Sequence, residues 1–476
     1  MKLKQDFSMK KLLTLLIIVT AFSFSCDLID GTNVQNPNLT LDEAASQDNA
    51  AKSWVNGLKQ RTAILYNDLV VVAELTSDNY VNKASYFNQN VDNGTFRDTD
   101  TDFNDVARNV GKLREQALFG LSTILENDTN AKGTELEAEM HFYNGWSHLI
   151  AGEYFTSLPA EKIGAPKSPN DHFQLAIDAF TKANSVVPNT SYDLALARVY
   201  YNMGNKTQAV SFANKVITAD DEFVRYVEYD GINGPTNEME DAVYSRQSFN
   251  DLQPLPRLDF LDPKYGDLGG TTESPIALQK AEEAYLIVAE AQLKDSQLPN
   301  AKITLTNLLT LVDSRPKRDI DDTEEGRKGT AGVEVRPNAS TFIVRVSATR
   351  PFLSNLVLDR TATTNIPTLS GTSLDAADII AAPNMDETLR LVYLLRQEIF
   401  FGEARRMVDL GVRWPVSEIE ALNNTSVTDA DRKPVIPSYI PSNYGDMDAF
   451  TVSGNEVTIT VDMNEVLATQ KKNQFD

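Results

Sequence analysis

The sequence predicts a mainly α-helical fold, built from paired helices and carrying a loop-rich face with few short strands. Three observations predict it. Small and apolar residues recur at helical spacing through Phe173–Thr218. A similar pattern returns at Tyr285, Val288, Ala289, Ala301, Leu305 and Leu308. Between and after these segments lie long stretches rich in Pro, Gly and Asn, which read as loops too long to be simple connectors.

At the N-terminus, Lys10 and Lys11 precede the apolar run Leu12–Phe24, which is well short of the roughly 20 residues needed to span a bilayer. With Ser23-Phe24-Ser25 directly before Cys26, residues 1–25 read as a secretion signal. Met9 is an alternative start that leaves this reading unchanged. Cys26 is the single cysteine, so no intrachain disulfide can form. Its position after small residues is that of a lipobox cysteine, with Ser23 standing where Leu is usual. Residues 26–40 are then a lipidated tether, rich in Asn, Asp and Gly; ordinary cleavage without lipidation is the alternative. The formal net charge of −23 becomes about −26 once the four lysines and one aspartate of residues 1–25 are removed. Such a field repels phosphate backbones and anionic headgroups, so nucleic acid is excluded as a partner and attachment to a membrane falls to the lipid.

Residues 41–476 form the folded body, with an N-terminal half over 41–270 and a C-terminal half over 271–476. Helical periodicity starts with Trp54, Leu58, Ala63 and Leu65 and runs into the apolar stretch Leu69–Leu75. Ala176, Phe180, Ala183 and Pro188 then match the second helix of a tetratricopeptide unit. Leu196, Ala197, Tyr200, Gly204, Ala209 and Ala213 match the next unit. Ala176 and Ala209 are 33 positions apart, close to the repeat length of about 34. The Tyr285–Leu308 segment is a third copy, and Ala138–Leu149 a weaker one. Three or more such hairpins can stack into a stable array. Phe223–Thr271, Ser314–Thr341 and the stretch from Asn423 onward are irregular, while Thr341–Ala348 and Glu456–Val461 alternate like short strands.

Leu389–Trp414 reads as one helix with ionic residues on its apolar side. Glu398, Arg405 and Asp409, spaced seven and four apart, would share a face and form a carboxylate–guanidinium–carboxylate ladder. The reading is structural, because an arginine held between two carboxylates is no acid or base near neutral pH. Within this segment Arg396–Leu410 resembles the C-terminal signature of the SusD/RagB family, Arg-x-x-Glu-Leu-x-x-Glu-Gly-x-Arg-x-x-Asp-Leu. It departs from it in having Gly402-Glu403 in reversed order and Gln397 before Glu398. The lipobox, Glu74-Leu75-Thr76-Ser77-Asp78, the hairpins and Ala281–Leu293 are further landmarks of that family, in the same order.

The resemblance implies a SusD-like fold with four tetratricopeptide-like hairpins opposite a ligand face of variable loops. It implies a lipid-anchored, surface-exposed protein of the outer membrane, partnered with a SusC-like TonB-dependent β-barrel transporter and binding oligosaccharide, or in some members peptide. No cofactor is implied.

Glycan capture needs flat aromatic faces to stack on sugar rings and amides or carboxylates to bind hydroxyls. Tyr80, Asn82, Tyr86, Phe87, Asn88 and Gln89 offer both and are the candidate ligand contacts; the structural alternative is that the aromatics anchor a loop. Tyr226, Tyr229, Tyr244, Phe249 and Tyr265 are weaker candidates, and Trp54, Trp146 and Trp414 are assigned to the core. Asp98, Asp100 and Asp102 open like a calcium loop, but Phe103 stands where Gly is required and Asn109 where a bidentate Glu is. His141, His148 and His172 lack zinc spacing, so no metal is expected. There is no nucleophile elbow, phosphate loop or dinucleotide fingerprint, and no enzymatic activity is expected. The expectation is a glycan-capturing lipoprotein that delivers nutrient to its transporter. A peptide receptor of the same fold and a tetratricopeptide-type interaction scaffold are the alternatives.

Overall fold

The computed structural model describes residues 47, 49–82, 89–245, 252–266, 271–321, 336–359, 361 and 363–476. The helices that build the frame and its site are α1 (Ala50–Leu75), α2 (Thr101–Phe119), α3 (Glu135–Tyr154), α4 (Pro169–Val186), α5 (Thr190–Asn202), α6 (Lys206–Ala219), α7 (Glu282–Lys294), α8 (Leu298–Ser314), α9 (Ala376–Ala381), α10 (Met385–Ile399), α11 (Arg405–Leu410) and α12 (Glu418–Asn423). Ala51–Asp476 is one compact unit. Among the described residues no helix is long and apolar enough to cross a membrane.

Three hairpins form where small residues predict them, and the Ala138–Leu149 segment is the first helix of the Ala176 hairpin and not a separate copy. Helix α3 packs along α4, α5 along α6, and α7 along α8. Their seams are lined by Ala176 and Ala183, Ala197 and Ala209, and Ala289 and Ala301, all fully buried. Between α3 and α4 the approach is closer still. A β-carbon at Gly145 would stand 2.7 Å from the Phe180 ring, and one at Gly152 2.6 Å from Phe173, so only glycine fits. The starts of these helices are written in the sequence as caps. Thr134, Ser168, Asn189 and Asn205 each accept a first-turn backbone N–H, and Ser168 with Asp171 completes a capping box around Pro169.

Short strands close the loops in pairs. Antiparallel pairs are β1 (Tyr80–Asn82) with β5 (Leu252–Pro254), β2 (Leu158–Pro159) with β3 (Pro166–Lys167), β4 (Val224–Val227) with β6 (Ile276–Lys280), and β7 (Lys317–Asp321) with β9 (Thr363–Pro367). In the one three-stranded sheet among the described residues, β11 (Glu456–Ile459) pairs antiparallel with β10 (Phe450–Ser453) and parallel with β8 (Ile343–Arg345). The two segments that alternate in the sequence, Thr341–Ala348 and Glu456–Val461, are thus partners in one sheet.

The Leu389–Trp414 segment departs from expectation. It is not one helix: α10 stops at Ile399, and α11 starts only at Arg405. Between them Gly402 and Ala404 take left-handed backbone angles, φ +72° and +64°. Ala404 is held there from outside the segment. Its N–H donates to Glu74 Oε1 at 2.8 Å, and its carbonyl accepts from the Tyr154 hydroxyl at 3.1 Å. Gly411 ends α11 at φ +72° and turns the chain so that Trp414 exchanges backbone hydrogen bonds with Tyr154 and Thr156.

Candidate functional site

The segment from α10 to α11 buries six ionic side chains, Arg396, Glu398, Glu403, Arg405, Arg406 and Asp409, and their partners define what it can do. The break at residues 400–404 removes the predicted ladder. Glu398, Arg405 and Asp409 are all buried, but they do not pair with one another, because Arg405 begins a new helix pointing elsewhere. Glu398 instead accepts from Arg257 Nη2 at 2.8 Å, from the Thr372 and Ser373 hydroxyls at 2.6 Å each, and from the Ser373 N–H at 2.8 Å. Arg405 donates to Glu283 Oε1 at 2.6 Å, and Asp409 accepts from Arg396 Nε at 2.8 Å. Each ion pair reaches to a different element, so the segment is a hub rather than a ladder.

Among the residues of this segment, Arg406 makes the ion pair that spans the most chain. Its Nε and Nη2 donate to the two oxygens of Asp78 at 2.6 and 2.8 Å, and its Nη1 donates to Asn464 Oδ1 at 2.9 Å. Gln397 completes the ring, donating to Asp78 and Asn79 and accepting from Asn464 and Arg257. The Glu74–Asp78 and Arg396–Leu410 landmarks therefore meet in space. Glu403 accepts from Lys264 and from Lys280, the latter at 2.7 Å. Burial raises Glu74 and Glu283 to about 7 and lowers Lys280 to about 8, as expected of charges taken from water. These donors and acceptors tie elements of the fold to one another, although Arg257 Nε, Arg405 Nε and Asp409 Oδ2 are buried without a hydrogen-bond partner among the described residues.

The candidate ligand residues fall into two sets. Tyr80 and Asn82 are each 1% exposed on β1, and the Tyr80 ring stacks on Phe401 with centroids 4.8 Å apart. Buried there, they offer no exposed face to a sugar, which corrects their assignment as contacts. Tyr86, Phe87 and Asn88 lie outside the described residues, as do the Tyr244 side chain and Phe249. Gln89 opens a short helix, Gln89–Asp92. Asn82 pairs with Leu252 across β1 and β5, the last rung of that ladder.

Among the weaker aromatic candidates, Tyr265 is buried and donates to the Gly402 carbonyl at 2.9 Å, and Tyr229 is also closed off. Tyr226 is different: on β4 it is 37% exposed. It lines a cleft of about 490 Å³ with Asn56, Glu135, Tyr143 and Glu228. The cleft floor is fixed by Arg225, whose guanidinium donates to Glu139, Ser191 and Tyr143 and lies 3.9 Å over the Phe142 ring. Aromatic, amide and carboxylate groups converge there, from α1, α3 and β4. No sequence window contains them together, and Tyr226 is the one member with a signal in the sequence, its aromatic ring in a loop-rich stretch.

Two further sequence features find local roles. Asp100 caps α2, accepting from the Asp102 N–H at 3.0 Å, and Asp98 pairs with Arg432. His148 and His172, which share no motif, bring their Nδ1 atoms to 3.1 Å between α3 and α4. Trp146 and Trp414 are fully buried, whereas Trp54 is half-buried and donates to the Gln116 carbonyl at 2.8 Å.

No family model and no curated protein matches the sequence. Solved structures do match. A SusD superfamily protein from Bacteroides fragilis is 13% identical at a TM-score of 0.53, over 80% of this chain and 98% of that one. A Bacteroides vulgatus protein named as a proposed sugar-binding protein is 12% identical at 0.53, over 80% and 97%. A SusD superfamily protein from Bacteroides thetaiotaomicron is 11% identical at 0.50, over 82% and 98%. At such identities the likeness is one of fold, and it extends over nearly the whole of each of those chains.

Proposed function

We propose that this chain, whose fold is that of the SusD-like proteins, captures oligosaccharide without transforming it and passes it to a SusC-like TonB-dependent transporter. In this reading Cys26 carries the lipid that holds the protein at the outer-membrane surface. The observation that carries the reading is the fold, matched over almost the full length of its structural neighbours, one of them named as a proposed sugar-binding protein. The commitment of the buried ionic groups to one another supports binding rather than catalysis. Contacts come from the segment that follows β1, with Tyr86 and Phe87 supplying ring faces and Asn88 and Gln89 amides, and from Tyr226 in the β4 cleft. Stacking and hydroxyl recognition at such open, wet sites give modest affinity, which suits a ligand that must be handed on.

The test is affinity electrophoresis of the protein through gels containing a panel of polysaccharides, with Tyr86→Ala/Phe87→Ala and Tyr226→Ala compared with the parent. Retardation by one polysaccharide that either variant abolishes is expected. Retardation by none, with binding to a peptide panel instead, would replace glycan by peptide as the ligand.

A further inference from the structure

A second cleft, of about 760 Å³, lies between α2, α12 and the segment around β2, with Arg61 of α1 at its wall. Its volume is within the range of roughly 300–1,000 Å³ usual for small-molecule sites. Its charge opposes that of the whole molecule. Arg61, Arg108, Lys112, Arg114 and Lys162 line it against three carboxylates, Glu115, Glu161 and Glu420, in a chain of net charge −23.

Two of these cations keep a buried N–H without an acceptor. Arg114 is 5% exposed, and its Nη1 donates to the Pro159 carbonyl at 2.7 Å, which fixes the guanidinium at the cleft wall. Its Nε is buried with no acceptor, and the nearest carboxylate, Glu115 at 3.6 Å, is itself half-exposed. Burial accordingly draws the Arg114 pKa down. The Arg61 Nε is also buried without an acceptor, and no hydrogen bond or ion pair engages Arg61 among the described residues. A buried guanidinium N–H left unmatched is costly, and an arriving oxyanion would satisfy it with a charge-assisted hydrogen bond.

We propose that this cleft binds a carboxylate-bearing oligosaccharide, with Arg61 and Arg114 receiving a carboxylate and Lys112 lending charge at the rim. The ligand class rests on the glycan-capture reading; the anion site rests on the cleft alone. Asn104 and Ser417, which also line it, offer the polar groups that sugar hydroxyls require.

Calorimetry of the full chain in detergent decides it, with trigalacturonic acid as probe, and maltotriose and triglutamate as controls. Trigalacturonic acid is expected to bind and the controls not. Arg61→Gln should weaken it by about tenfold or more, Lys112→Gln by less, with melting curves unchanged, since neither side chain holds the fold. Added salt should weaken it further. No binding, binding indifferent to both substitutions, or equal binding of triglutamate would overturn the proposal. Loss of trigalacturonic acid binding in Arg61→Gln, with gel retardation by a neutral polysaccharide absent throughout, would sink the loop assignment and leave this cleft standing.

Discussion

Asp78 and Arg406 lie 328 positions apart in the chain and share two hydrogen bonds of 2.6 and 2.8 Å in the interior. The pair fastens the end of α1 to the start of α11. Removing one partner leaves the other charge buried and uncompensated, which costs about 3–5 kcal/mol. Asp78→Ala is expected to lower stability by that order in denaturant unfolding. Asp78→Leu combined with Arg406→Met should recover much of the loss, because the double change leaves no orphaned charge. A double variant as unstable as the sum of its single changes would contradict this account.

Ala404 sits at φ +64°, where a β-carbon costs roughly 1–2 kcal/mol. Glycine adopts that angle without strain, although it surrenders more chain entropy on folding. Ala404→Gly is therefore expected to stabilise the protein by about 0.5–1 kcal/mol, read as a higher denaturant midpoint at unchanged slope. Destabilisation would mean that the methyl group contributes more by packing than its backbone angle costs.

At the α3–α4 seam the expectation is opposite in sign. Gly145→Ala and Gly152→Ala each place a β-carbon within 2.7 Å of a phenylalanine ring. Overpacking of this kind costs about 1–3 kcal/mol despite the better helix propensity of alanine. Thermal unfolding checks it, and Phe180→Leu should relieve part of the Gly145→Ala loss.

The histidines make the protein acid-sensitive. Burial, then the neighbouring ring, holds His148 down to about 3; burial holds His172 to about 4, although its bond to the Leu158 carbonyl works the other way. Unfolded, both rings take protons near pH 6.5. Between about pH 6.5 and 4 the unfolded chain thus binds more protons, and stability falls as the pH falls, by up to about 1.4 kcal/mol per unit for each ring. Glu74 and Glu283, raised to about 7, act in the opposite sense over part of that range. The readout is therefore a difference: the stability lost between pH 7 and pH 5 should be smaller in His148→Gln/His172→Gln than in the parent. Equal losses would place the sensitivity elsewhere.

What could be read from the sequence was local. Alanines at helical spacing place α4 to α8, because a close seam needs small residues wherever it forms. The break at Ala404 was hidden because its cause is Glu74, 330 positions away, while the residues on either side keep a helical pattern. The same blindness made Glu398, Arg405 and Asp409 look like partners. Tyr80 was misassigned for a related reason: its aromatic ring suits a sugar, and only the pairing of β1 with β5 and the stack on Phe401 show that it faces inward. Tyr226 and the cationic wall of the α2 cleft gather residues from elements far apart in the chain, which no motif records.

The Asn82–Leu252 rung has a consequence for how much change in sequence the fold tolerates beside it. Both segments that leave from it are clamped at their base by backbone hydrogen bonds that ask nothing of side-chain identity. Doubling the length of a flexible loop adds only about 0.6 kcal/mol of closure entropy. Insertions and replacements next to that rung can therefore accumulate without disturbing the Asp78–Arg406 bolt behind it, so the chain is free to diverge there while the scaffold's inheritance stays intact.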